Sequence, residues 1–153
     1  MNRNNPDKKS YKSEYKPIHP KKYTGKKPII MRSTWERQFA KWLDRNPNVE
    51  WWQSETTVVP YISKIDLRQH SYYIDFTVKF TNGKIVLFEI KPEKQTKAPK
   101  KRERKTKRFL QEVKTYGVNI SKWEAARAFA EAKGVSFQIL TENELRKLGI
   151  KIV

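Results

Sequence analysis

The chain of 153 residues carries 34 Lys and Arg against 16 Asp and Glu, a net charge of +18 with a pI near 10.1. That balance points to a polyanionic partner, with nucleic acid first among them. There is no cysteine and there are two histidines, His19 and His70, which excludes disulfides and thiolate zinc sites and disfavours histidine-centred chemistry.

A chain of this length fits one domain with a real core. No apolar run approaches the ~20 residues of a membrane span. Met1 to Pro6 is followed by no apolar segment, so no secretory signal is expected and a soluble, cytoplasmic protein is. Residues 1–28 are polar and basic, with Pro6, Pro17, Pro20 and Pro28 and almost no aliphatics. They predict an extended, flexible basic arm, pinned in places by Tyr11, Tyr15, Ile18 and Tyr23. A solvated tail and a DNA- or protein-binding arm fit this composition equally well.

Residues 29–153 carry the alternation of elements expected of a folded domain. Ser33-Thr34-Trp35-Glu36 is a capping-box pattern opening a helix, whose apolar face is Trp35, Phe39, Trp42 and Leu43. Asn46-Pro47 ends it. Val49 to Trp52 and Thr56 to Ile62 read as strands. Of the adjacent Trp51 and Trp52, one is expected in the core and one under a helix, in preference to both stacking on bases. A polar loop at Ser63 to Arg68 leads into a strand from Ser71 to Phe80, then a turn, then a strand from Lys84 to Lys91. Residues 92–108 are a basic loop with nine Lys or Arg among seventeen positions. Phe109 to Tyr116 predicts a short helix stopped by Gly117. Ser121-Lys122-Trp123-Glu124 is a second capping-box pattern, opening an alanine-rich helix that ends at Gly134. Val135 to Leu140 is a strand and Thr141-Glu142-Asn143-Glu144 starts a final short helix. The order predicts an α/β fold with a central mixed sheet flanked by helices.

The chemistry concentrates on the two central strands. A two-residue Asn82-Gly83 loop would place Asp75 opposite Ile90 and turn Glu89 to the other face. A three-residue loop, Thr81-Asn82-Gly83 with Gly83 left-handed, brings Asp75 opposite Glu89, with Lys91 further along the same face. The second register also gathers Ile74, Phe76, Val78, Phe80, Val86, Phe88 and Ile90 on one apolar face, so hydrophobic segregation selects it. Facing carboxylates repel unless a cation lies between them. Oxygen ligands without His or Cys suit Mg²⁺ or Mn²⁺, which can hold a phosphate and activate water. A cross-strand salt bridge of Lys91 with Asp75 or Glu89 explains the spacing alone equally well. Glu36 lies beside the apolar face of the first helix, and by spacing alone it is better read as the cap partner of Ser33. Glu55 and Asp66 are weaker candidates, read as strand-edge and loop charges.

The constellation resembles the PD-(D/E)xK nuclease superfamily, the restriction-endonuclease-like fold. Ile74-Asp75 stands for the PD element without its proline, and Glu89-Ile90-Lys91 matches ExK in full. The flanking Arg32-Ser33-Thr34-Trp35-Glu36, Asn46-Pro47, Val59-Pro60-Tyr61, Lys122-Trp123-Glu124-Ala125-Ala126 and Ile139-Leu140-Thr141-Glu142 occur in order. Over residues 30–145 this series is similar to TnsA-type transposon endonucleases. It is more similar still to the head-completion nucleases of large tailed phages, which Lys16 to Tyr23 and the insertion after ExK also resemble. Phage junction resolvases share the order more distantly.

The resemblance implies a metal-dependent endodeoxyribonuclease acting in phage head completion and DNA-packaging maturation, in the host cytoplasm or in association with the virion. It implies Glu36, Asp75, Glu89 and Lys91 as catalytic residues. Asp75, Glu89, Glu36 and the Ile90 carbonyl would hold Mg²⁺ or Mn²⁺. Lys122 falls where such nucleases sometimes carry an auxiliary polar residue, although a first-turn surface lysine is the better reading. DNA is expected to meet the basic loop through Lys94, Lys97, Lys100, Lys101, Arg102, Arg104, Lys105, Lys107 and Arg108. Phage head or portal proteins are expected partners; no membrane and no small-molecule cofactor are implied. The rival expectations are a non-catalytic DNA-binding virion protein with salt-bridged strand charges, and a TnsA-like transposase subunit that works only with a partner.

Overall fold

A computed structural model describes residues 12–101 and 103–152. Its centre is a four-stranded mixed sheet in the order β3-β6-β7-β8, made of β3 (Val49–Ser54), β6 (Phe76–Phe80), β7 (Ile85–Ile90) and β8 (Ser136–Leu140). The first two contacts are antiparallel and β7 with β8 is parallel. A parallel neighbour needs a long crossover, and α2 (Lys107–Lys133) supplies it. Two small ribbons flank the sheet: β1 (Ser13–Glu14) with β2 (Ile30–Met31), and β4 (Val58–Ile62) with β5 (Gln69–Tyr73). The expected α/β fold with a mixed sheet between helices is the one found.

Each face of the sheet has its own core. On one face Phe76, Val78, Phe88 and Ile90 meet Phe39, Ala40 and Leu43 of α1 (Thr34–Arg45). The Phe39 ring lies edge-on to Phe76 and Phe88, with centroids 5.1 and 5.3 Å away. Ser33 caps α1, its Oγ accepting from the Glu36 N–H at 3.1 Å. On the other face Leu87 meets Trp123, Ala126 and Ala130 of α2, with Val59, Tyr61 and Tyr72 of the β4–β5 ribbon. Trp52 is fully buried against Tyr15, Tyr23 and Phe76, while Trp51 is half-buried. The last helix, α3 (Glu142–Lys147), opens on a complete capping box between Thr141 and Glu144.

Three expectations are corrected. The strand from Ser71 to Phe80 breaks at Ile74–Asp75, because the chain changes partner there, from β4 to β3. Ile74 consequently packs in the α2-side core instead of the α1-side core. The two helices expected on either side of Gly117 are one helix. Gly117 lies where a Cβ would fall 2.7 Å from Ile65 Cδ1. Ser121 Oγ donates to the Gly117 carbonyl and accepts from the Lys64 N–H. Both residues fit the ribbon's loop against the helix; neither punctuates it. Finally, residues 12–28 of the expected flexible arm are fastened to the domain. Tyr15 is buried, and its hydroxyl donates to the fully buried Asp44 carboxylate at 2.7 Å, which also accepts from the Ile18 and His19 N–H groups at 2.6 and 3.0 Å. Tyr11 and the residues before it lie outside the described residues.

Candidate active site

The turn after β6 fixes the site. The Gly83 N–H donates to the Phe80 carbonyl, the Phe80 N–H to the Lys84 carbonyl, and Gly83 has φ 91°. This is the three-residue loop with a left-handed glycine. The ladder pairs Phe76 with Phe88 and Val78 with Val86. Its next step sets Asp75 opposite Glu89, on the face away from the α1 core. The Asp75 Oδ2 atom accepts from the Ile90 N–H at 2.9 Å.

Asp75, Glu89 and Lys91 line one cleft of about 490 Å³, together with Lys26, Arg32, Glu55, Tyr72, Tyr73 and Lys122. Glu89 is buried, with Oε1 accepting from the Tyr72 hydroxyl at 2.6 Å and Oε2 lying 3.5 Å from Lys91 Nζ. Glu36 lines an adjoining cleft that shares Lys91 and is closed by Trp35, Pro92 and Gln95. Its Oε1 accepts from the Arg32 N–H at 3.0 Å, one residue earlier than a capping box requires. Arg32 grips Glu55 through Nε (2.7 Å) and Nη2 (3.1 Å). Glu55 has φ 50°, a left-handed backbone at the divergence of β3 and β4, and such conformations gather at functional sites.

The acids disturb one another. Burial first, then the charges of Glu89 and Glu36, hold the Asp75 carboxyl well above the usual carboxylate range, with the Ile90 N–H and Lys91 opposing. Burial raises Glu36 as well; the Arg32 N–H opposes that rise, and the charges of Glu55 and Glu89 add to it. Burial and the neighbouring Glu89 push the Tyr72 hydroxyl up, so it stays a donor. Mutually destabilised carboxylates in a cleft make this the candidate functional site. Among the described residues no three acidic or imidazole groups converge as a ready cage for a metal. The donor set nonetheless fits Mg²⁺, which commonly takes one or two carboxylates and fills its shell with water and substrate phosphate.

The basic segment leaves directly from β7. Lys94, Lys97, Lys100, Lys101, Arg104, Lys105, Lys107 and Arg108 are exposed; Arg102 lies outside the described residues. Lys97 and Arg108 have loose ion pairs with Glu93 and Glu112, at 3.4 and 3.6 Å. Lys122 is a half-buried mid-helix residue and not the first-turn surface lysine expected; its Nζ is 5.5 Å from the Tyr72 ring centroid. Asp66 is remote from the cleft and pairs with His70. Tyr72 and Lys26 escaped the sequence reading, and Glu55, weighed there only as a strand-edge charge, lines the cleft paired with Arg32. Only Tyr72 had a signal, its alternation with Ile74 on a half-buried strand.

Residues 46–142 match the family described as TnsA-like endonuclease N terminal, a span that includes Asp75, Glu89, Lys91 and Lys122. The chain belongs to the TnsA-like endonuclease family. It is also similar to the head completion nuclease of Enterobacteria phage T4, with 42% identity over 147 residues that cover 93% of this chain and 98% of the relative. No solved structure matches the chain. The matched span contains the strand pair that carries Asp75 and Glu89-Ile90-Lys91.

Proposed function

We propose that this endonuclease is a Mg²⁺- or Mn²⁺-dependent hydrolase of DNA phosphodiester bonds, acting in phage head completion and maturation of packaged DNA. The observation that carries this is Asp75 facing Glu89 with Lys91 beside them in one cleft. The relative's name supports the phage-head setting. Water adds to the phosphorus and one sugar oxygen leaves as an alcohol. A bound metal would polarise the phosphate and lower the pKa of the attacking water. Asp75, Glu89 and the Ile90 carbonyl would hold it, with Glu36 completing the site from α1. Lys91 orients the water and offsets charge developing on the phosphate. The buried Tyr72 hydroxyl keeps one Glu89 oxygen turned away from Lys91.

Among the described residues no helix is long and apolar enough to cross a membrane. The reading places the enzyme in the host cytoplasm and in contact with head or portal proteins. It is tested by plasmid nicking with Mg²⁺ or Mn²⁺, comparing wild type with Asp75→Ala and Glu89→Ala. Loss of nicking in both variants is expected, and equal activity in all three proteins would overturn the site. Both Glu89 oxygens have partners, as a structural strand pair would have. DNA binding without any nicking by wild type would favour that non-catalytic reading.

A further inference from the structure

The cleft has four cations on its walls, Lys26, Arg32, Lys91 and Lys122. Arg32 is paired with Glu55 and Lys91 with Glu89. Among the described residues neither Lys26 nor Lys122 has a carboxylate within salt-bridge reach. Each lies over a tyrosine instead, Lys26 Nζ 5.4 Å from the Tyr73 centroid and Lys122 Nζ 5.5 Å from that of Tyr72. Tyr72 and Tyr73 are successive residues of β5, so their side chains leave opposite faces of the strand. Tyr72 is buried and Tyr73 is 52% exposed. The two lysines therefore straddle β5 and reach one cleft from its two sides, one from the N-terminal segment and one from α2.

The position of Lys26 is built. Its N–H donates to Thr56 Oγ1 at 2.8 Å and its carbonyl accepts from the Tyr23 hydroxyl. The preceding Gly25 packs so closely that a Cβ would fall 2.5 Å from Thr56 Oγ1 and 2.8 Å from Gln53 Cβ. A cleft floored by carboxylates repels a phosphodiester unless its walls supply compensating charge. An ammonium resting on a ring is held less strongly than one hydrogen-bonded to phosphate, so both lysines can transfer to a phosphate that enters between them.

We propose that Lys26 and Lys122 form a two-sided phosphate grip that holds the DNA backbone on either side of the scissile phosphate, separately from the basic segment at 94–108. The grip rests on the nuclease reading above. It is tested with the full chain by measuring the Kd of a duplex oligonucleotide in EDTA over a series of NaCl concentrations. The variants are Lys26→Ala, Lys122→Ala and Lys26→Arg. Each alanine variant is expected to weaken binding several-fold and to lower the log–log salt slope by about 0.9, the worth of one phosphate contact. Lys26→Arg should restore both, and in cleavage assays KM should rise more than kcat falls. Wild-type affinity and slope in both alanine variants, with a wild type that cuts, would overturn the grip alone. An effect from one lysine only would overturn its two-sidedness. A wild type that binds but does not cut would instead overturn the nuclease reading and the grip with it.

Discussion

Glu89 is held at both ends, by Tyr72 at one oxygen and Lys91 at the other. A hydroxyl bonded to a buried carboxylate contributes about 1.5–3 kcal/mol, and orienting a metal ligand in this way commonly changes metal affinity about 10- to 100-fold. Tyr72→Phe keeps the ring in the α2-side core and removes the bond. It should weaken Mn²⁺ binding to the metal-free protein about tenfold and lower the melting temperature by several degrees; an unaltered titration would show that the hydroxyl orients nothing. Asp75 gives a prediction in pH. Its folded-state proton affinity exceeds the unfolded one, so the metal-free fold binds more protons than the unfolded chain. The contribution of that proton to the stability of the metal-free fold is fully present below about pH 4, the unfolded value, and is lost as pH rises through the raised folded value. Asp75→Asn retains an acceptor for the Ile90 N–H. It should stabilise the metal-free protein at neutral pH and lose that advantage near pH 4. Urea melts at the two pH values decide it, and a pH-independent difference would mean the charge is not what strains the site.

At the scale of elements, the turn shows what sequence can say. Two apolar sets, Phe76-Val78-Phe80 and Val86-Phe88-Ile90, fall on one face only if the loop has three residues, and that constraint was strong enough to bring Asp75 opposite Glu89 without coordinates. The strand break at Ile74–Asp75 was not legible, since Tyr72 and Ile74 alternate as a continuous strand would. What interrupts it is the change of partner from β4 to β3, a tertiary fact. Gly117 and Ser121 misled for the same reason, being local stop and start signals used instead for close packing against the β4–β5 loop. Glu36 was ambiguous by spacing, and its bond to Arg32 in place of Ser33 frees it from the capping box while leaving it beside the cleft. Because the apolar face holds the register, the turn glycine contributes stability more than placement. A Cβ at Gly83 meets nothing, but φ 91° strains any L side chain. Gly83→Ala should cost about 1–2 kcal/mol by chemical denaturation and still nick DNA when folded. Loss of nicking in a folded variant would show that the glycine sets the register.

For the whole molecule, a net charge of +18 opposes compaction by self-repulsion, and the exposed cations between Lys94 and Arg108 add to it locally. NaCl at moderate concentration, and duplex DNA at low salt, should each raise the melting temperature; a melt insensitive to both would mean the charges are already compensated. The N-terminal segment ties this field to the site. It is latched at Asp44, which is fully buried and accepts three hydrogen bonds from Tyr15, Ile18 and His19. It then runs past Trp52, where Tyr23 stacks edge-on at 4.7 Å, and delivers Lys26 to the cleft. Composition alone described a loose arm, because prolines and lysines dominate it; contacts to Asp44 and Trp52, far apart from it in sequence, fasten it. Asp44→Ala leaves those donors buried or loose and should cost about 3 kcal/mol. The undocked segment would wet Trp52 and withdraw Lys26, so tryptophan emission should shift to the red and DNA affinity should fall although the substitution is on the far end of α1. If Asp44→Ala melts and emits like wild type, the segment is held by its aromatic contacts alone and the latch is incidental. If emission shifts while DNA affinity stays, the segment folds onto the domain without serving the cleft.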